Sequence, residues 1–520
     1  MIFTLVVYAG VLGKKTSNPD AQYILPPLFE TTQPFEYLAR LASLETIDFQ
    51  PVRDLSLFLD ISFFRMNATI TFATFNAIFL GILACLMMAL LKRISPEKKH
   101  DMPFYWALVF ASHPLLSQSV GWGMARKHIL AALFVLWATI LFLEWKEGKK
   151  HWLYFFIAYV TSVLSHPVAI LWPLWAFIHL RATRTVITKE TKKIFSLVII
   201  SMILLFMINF TYYKIGHPVH ADVYPRFSTS LTDARAMISN FTFDLTQIFY
   251  PFRLAFVYYP DFSVSWPGFI IIALIGAILI IRKNCQLLSW VIFSFLTIPM
   301  SVTLPGVYDS YLILPCAGMM IILYLMIDFH SPWTKSLLVG TAVALGVFTH
   351  FEARKWTDEV IINARNFENA KTCQTAMNFA MASYGKGKKV PVGLISYIRA
   401  NSCFDIAVQF PPASRRIFLY IESMMLFYED GAFPYEERVS RLRFLGERHY
   451  FPRLVYAALL ATENKATEVE ENARFVLDMV RGPIPVSASV IDQVLRPYCE
   501  INRLPACLEV TNSEPTPGYL

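Results

Sequence analysis

About eleven apolar runs, each bounded by polar or charged residues, fill the first 350 positions of this 520-residue chain, and none follows. A helix needs about 20 mostly apolar residues to cross the hydrocarbon core of a bilayer. Inside that core only helices and closed barrels satisfy every backbone polar group, and barrel strands need only ~10 residues. The runs therefore predict a polytopic helical bundle. They lie at Met1–Leu12, Ala68–Leu91, Phe104–Trp122, His128–Trp145, Trp152–Ser165, Pro167–Leu180, Ile194–Tyr212, Pro267–Ile281, Leu287–Thr303, Tyr311–Asp328 and Ser336–His350. The first is short for a span. A signal peptide is its alternative reading, but no small-x-small cleavage motif follows Leu12-Gly13. The pair around Ser165-His166-Pro167 is also short, as in a re-entrant hairpin. Only 16% of the residues are charged and 55% are hydrophobic. Soluble domains carry about 25% charged residues, and disordered chains lack apolar content. Both classes are excluded.

The formal charge of +8 is mostly topology. Lys92, Arg93, Lys98 and Lys99 share one loop; Lys146, Lys149 and Lys150 follow in another. Arg181, Arg184, Lys189, Lys192 and Lys193, then Arg282 and Lys283, then Lys335 complete the series. All fall on alternate loops, which the positive-inside rule assigns to the cytoplasm. No nucleic-acid partner is expected. Residues 14–67 and 213–266, and everything after about Phe351, then lie outside.

The chain is expected to be all-α, with a membrane domain at 1–350 and an extracytoplasmic helical domain at 351–520. The second part is charged and amphipathic. Tyr384-Gly385, Pro411-Pro412 and Gly482-Pro483 punctuate it. It reads as helical hairpins without a clean 34-residue repeat. In an oxidising compartment Cys373, Cys403, Cys499 and Cys507 can form two disulfides, most simply Cys373–Cys403 and Cys499–Cys507. Two other pairings and four free thiols stay open.

No nucleotide loop, zinc motif or serine elbow is present. Polar residues at the outer ends of the spans are the candidates, because burying them near lipid is costly. Asp20 follows the first apolar run and offers a general base or a metal ligand; a solvated loop acid is the plain alternative. His113-Pro114 interrupts the third span, and Gln118 follows. Arg126 and Lys127 open the fourth span on the outer side, against the charge pattern. A guanidinium there suits a lipid phosphate or simply snorkels. His166 sits at the tip of the short hairpin. Asp309 and Tyr311 start the tenth span.

In order along residues 18–330, several blocks resemble GT-C-fold glycosyltransferases, specifically the TMTC-type O-mannosyltransferases and their bacterial tetratricopeptide-bearing relatives. Gln50-Pro51-Val52-Arg53-Asp54-Leu55-Ser56 resembles the family's Arg-Pro-Leu-x-x-Leu-Ser block. Asn67 to Asn76 resembles its Asn-Pro...His-x-x-Asn helix start. Ser112-His113-Pro114 with Val120-Gly121-Trp122, and Arg126-Lys127-His128-Ile129-Leu130-Ala131-Ala132, resemble its next two blocks. Leu164-Ser165-His166-Pro167, Tyr259-Pro260 and Asp309-Ser310-Tyr311 with Leu314-Pro315 complete the series. The resemblance implies transfer of a sugar from a polyprenyl-phosphate carrier to a protein or glycan acceptor. Asp20 would be the catalytic base. Arg126, with Gln50 and Arg53, would hold the donor phosphate. His113, Gln118, His128, His166, Asp309 and Tyr311 would line the pocket, and the helical tail would recruit the acceptor.

The chain departs from that pattern at charged positions. Only one acid, Asp20, stands where a pair is usual. Gln118 replaces Glu, His128 replaces Asp, His166 replaces Lys and Ser310 replaces Arg. The replacements are still mostly hydrogen-bonding residues, which suits an active but divergent enzyme; the losses motivate an alternative, a catalytically inactive GT-C-like scaffold whose tail binds periplasmic partners. A transporter is weaker, for want of internal repeats with paired broken helices. A divalent metal is compatible with the enzyme reading, with the lipid-phosphate sugar as donor substrate. The expected location is a bacterial inner membrane, given the short tail and no retention signal at Gly518-Tyr519-Leu520.

Overall fold

The computed structural model describes residues 1–14, 49–64, 68–96, 101–149, 151–215, 234–251, 254, 265–282, 284–298, 309–327, 332–369, 371, 373–385, 388–401, 403, 422–428, 433–447, 450–479 and 494–512. Among them every regular element is helical. The chain divides into two compact units, Met1–Ile362 and Asn363–Leu520.

In the first unit the helices in chain order are α1 (Ile2–Val7), α2 (Pro51–Phe64), α3 (Ala68–Ile94), α4 (Met102–Ala111), α5 (Ser117–Gly121), α6 (Arg126–Lys146), α7 (Trp152–Ser165) and α8 (Trp172–Ala182). They continue as α9 (Lys189–Ile215), α10 (Ala234–Phe249), α11 (Trp266–Arg282), α12 (Cys285–Leu296), α13 (Ile313–Met326) and α14 (Pro332–Lys355). Among the described residues five segments are long and apolar enough to cross a membrane: Phe72–Ile94, Gly123–Lys146, Lys189–Thr211, Asp309–Met326 and Trp333–Lys355. Five further apolar helices have 10–17 residues. By length this is fewer spans than the about eleven expected. Proline supplies much of the difference. The expected span Phe104–Trp122 breaks at His113-Pro114 into α4, a 3₁₀ turn at Pro114–Leu116 and α5. Pro167 likewise separates α7 from α8. Proline lacks the N–H that would continue the helix. A 10-residue helix is about 15 Å long, half the hydrocarbon thickness. At the other end of the unit, α14 runs unbroken to Lys355, so the division falls later than residue 350.

Helices in lipid gain little from hydrophobic burial against one another, so close packing and hydrogen bonds hold them. A Cβ built on Gly268 would lie 2.0 Å from the Thr242 carbonyl oxygen, so α11 approaches the backbone of α10 closely. Gly121 faces Trp356 in the same way, 2.3 Å from its ring. Opposite the site, the basic loops meet one another. Arg93 pairs with Glu147, Lys335 with Asp101, and the Lys146 ammonium donates to Thr183 Oγ1 at 3.1 Å. One end of the bundle therefore carries the loops that the charge pattern groups together.

The second unit contains α15 (Glu359–Asn369, whose first residues belong to the first unit), α16 (Cys373–Gly385), α17 (Val392–Ala400), α18 (Tyr435–Gly446), α19 (Tyr450–Thr462), α20 (Ala466–Met479), α21 (Arg496–Asn502) and α22 (Pro505–Asn512). Successive helices pack as hairpins around Leu454, Ala457, Ala458, Val469 and Val476. Both disulfides, Cys373–Cys403 and Cys499–Cys507, are formed, with Cα separations of 5.2 and 5.8 Å. The Glu470 carboxylate accepts from the N–H groups of Ala506 and Cys507 at 2.9 and 3.2 Å, capping α22.

Candidate functional site

Two Ser-His-Pro sequences build the site end of the bundle. In each, the histidine is extended and its Nδ1 accepts from the N–H two residues on. His113 takes Leu115 N at 3.4 Å and His166 takes Val168 N at 3.2 Å. Each imidazole caps the 3₁₀ turn that its proline starts. The His113 Nε2–H then donates to the Ile248 carbonyl at 2.9 Å, tying the break to α10. That tautomer follows from the two hydrogen bonds.

Arg126 opens α6 and is fully buried. Its guanidinium meets four oxygens of this chain. Nε donates to Asn76 Oδ1 at 2.8 Å, Nη1 to the Ser56 carbonyl at 3.2 Å and Nη2 to the Phe72 carbonyl at 3.4 Å. Nη2 also pairs with Asp60 Oδ2 at 2.5 Å. The Phe72 and Phe79 rings each stand 5.6 Å away. Asn76 in turn donates to the Ser119 carbonyl at 3.1 Å, so one amide links Arg126 to the break after α4. Burial pushes the Asp60 carboxyl above its ordinary range, against the pull of Arg126. The pair is thus held at a desolvation cost.

Beside it lie three rings. His128 stands 4.4 Å from His166 and 4.3 Å from Tyr311, centre to centre, and His166 and Tyr311 are 5.1 Å apart. His128 is 2% exposed, and neither ring nitrogen has a hydrogen-bond partner. Such orphaned polar groups are rare and each costs about 1–3 kcal/mol. Next to Tyr311, the Ser310 N–H donates to Gln118 Oε1. The Ser310 hydroxyl is buried without a partner.

The candidates His113, Gln118, His128, His166 and Asp309 are all buried, and the ring of Tyr311 joins them. Gln50, just before α2, and Arg53, in its first turn, are buried, and Arg53 Nε pairs with Asp54 at 2.6 Å. Gln118 touches Ser310 and His128 touches His166, so these four candidate positions form two pairs. Asp20 lies outside the described residues, as do Asn67 and Tyr259-Pro260. Among the described residues no three His, Cys, Asp or Glu side chains are placed to hold a metal ion. Asp60 was not among the sequence candidates. Its signal is faint: Arg53, Asp54 and Asp60 share the inward side of α2, while Leu55 and Leu59 are 43% and 42% exposed. Such a helix has its charges inside and its leucines outside, the reverse of a water-facing one.

Compared with protein-family models, curated proteins and solved structures, the chain matches none.

Proposed function

We propose that this chain is an integral-membrane glycosyltransferase that moves a sugar from a polyprenyl-phosphate carrier to a protein or glycan acceptor, on the side of the membrane away from the basic loops. The buried His128 imidazole, with two free nitrogens beside the rings of His166 and Tyr311, carries this reading. A fold that keeps such a group unsatisfied gains only if something else hydrogen-bonds to it. A hydroxyl-rich ligand supplies donors and acceptors of the right kind. In this reading Asp20 takes the acceptor's hydroxyl proton, Arg126 with Gln50 and Arg53 serves the phosphate, and the second unit recruits the acceptor. The two disulfides fit an extracytoplasmic, periplasmic location of that unit and a bacterial inner membrane around the first.

The charge losses are compatible with retained activity because they are paired. On the family pattern, Glu and Arg would stand at 118 and 310, and Asp and Lys at 128 and 166. Replacing both members of a pair leaves no buried charge uncompensated.

One observation favours the alternative, a non-catalytic scaffold: the Arg126 guanidinium is already filled by the chain's own oxygens. Glycan mass spectrometry separates the readings. A deletion strain complemented with the wild type should regain a glycan that Asp20→Asn and His128→Ala strains lack. Identical glycans in all four strains, the uncomplemented deletion included, would reject the enzyme.

A further inference from the structure

Asp60 raises a question that the proposed function leaves open: if Arg126 serves a phosphate, why does a carboxylate occupy it? Of the four oxygens on the guanidinium, three are neutral: Asn76 Oδ1 and the carbonyls of Ser56 and Phe72. They can stay in place when an anion arrives. The fourth is Asp60, the one anion among them. A phosphate and a carboxylate on the same buried guanidinium would leave excess negative charge in a medium that screens it poorly. One must leave.

The helix that carries Asp60 is suited to leaving. α2 has 14 residues and lies outside the five long apolar segments. Its exposed face presents Leu55 and Leu59, so it can shift along a lipid surface without exposing a charged side. The Asp60 side chain retains 8% exposure, whereas Arg126 has none, which puts the carboxylate on the open side of the pair.

We propose that Asp60 is an internal counter-anion, holding on Arg126 the place that a polyprenyl phosphate takes, and that α2 moves with it when the lipid binds. This rests on the assignment of Arg126 to the donor phosphate. The ion pair then has two roles. It keeps a buried cation compensated in the empty protein, and it sets a threshold that only an anion able to fork both Nη groups can cross. The shared chemistry is a phosphate group with at least two unesterified oxygens, available from a lipid headgroup or free in solution.

The full chain in phosphatidylcholine nanodiscs should be titrated with a long-chain polyprenyl monophosphate and, separately, with inorganic phosphate. Asp60→Asn should bind the lipid at least about tenfold more tightly than wild type, the lower end of what close charge pairs contribute. Asp60→Glu should bind as wild type does, and Arg126→Gln should lose binding. Unchanged affinity in Asp60→Asn with loss in Arg126→Gln overturns the latch and leaves the proposed function standing. Unchanged affinity in Arg126→Gln removes Arg126 from the phosphate and both ideas with it. An equal gain for inorganic phosphate overturns the lipid as the ligand. Where Asp60→Asn fails to fold, a spin label at Leu59→Cys, in a chain that keeps Asp60 and Arg126 and has the exposed Cys85 and Cys285 changed to serine, reads the same motion. Its mobility should change on adding the lipid phosphate, and an unchanged spectrum refutes the movement of α2.

Discussion

Breaking the Arg126–Asp60 pair from one side should be far more costly than removing it from both. Arg126→Ala strands the Asp60 carboxylate and empties the space between Phe72 and Phe79; it also takes the donor from Asn76 Oδ1. Asp60→Ala strands a guanidinium with no exposed surface. Loss of one partner of a buried pair costs about 3–5 kcal/mol, whereas an apolar pair of similar volume is often neutral. Arg126→Met with Asp60→Leu should therefore stay within about 1–2 kcal/mol of wild type, the residue being the unmatched Asn76 amide oxygen. Cys316 on α13 is the reporter. It is buried, and the other free thiols, Cys85 and Cys285, can be changed to serine. When opening is fast relative to labelling, its reaction with a thiol reagent follows the open population. Each single variant should label about 10²- to 10³-fold faster or more, and the double variant within about thirtyfold of wild type. Singles that label within tenfold of wild type, or a double as fast as the singles, would refute the reasoning.

Other consequences can be checked separately. Gly268→Ala should destabilise the first unit by about 1–3 kcal/mol through the clash with Thr242, while Gly276→Ala, with open space around it, should be neutral by the same labelling assay. Opening Cys373–Cys403 should cost about 3–4 kcal/mol and opening Cys499–Cys507 about 2–3, following the logarithm of sequence separations of 30 and 8; limited proteolysis of the full chain reads both. Arg503 ends α21 at φ 52°, so Arg503→Gly should stabilise the second unit by up to about 1 kcal/mol, seen as slower cleavage there.

Different parts of this structure were visible in the sequence to different degrees. The long apolar helices α3, α6, α9 and α14 follow from composition along a window, a local property. So does the shared end of the basic loops, which Arg93–Glu147 and Lys335–Asp101 reproduce as contacts. The breaks at His113-Pro114 and His166-Pro167 were readable as interruptions. Their consequence for length was not, because how far a helix resumes after a proline depends on the side chain that caps it. Nor was the Arg126–Asp60 pair. The partners are far apart in the chain, and Asp60 sits on a segment whose polarity resembles an ordinary outer loop until its burial is known.

The same distinction bears on what the missing charges mean. Taken one at a time along the chain, Gln118, His128, His166 and Ser310 read as four independent departures from the glycosyltransferase pattern that the sequence resembles. In space they are two contacts: Ser310 N–H on Gln118, and the His128 ring on His166. Independent decay would leave stranded charges, since losing one member of a buried pair is the costly step. If the chain descends from the enzymes it resembles, each pair has changed together, and its polar character is kept. One pair retains a hydrogen bond, and the other retains an imidazole whose nitrogens the fold leaves free. A scaffold has no use for that vacancy, because filling it with an apolar side chain would stabilise the bundle. Its presence supports the proposed glycosyltransferase reading over the scaffold reading.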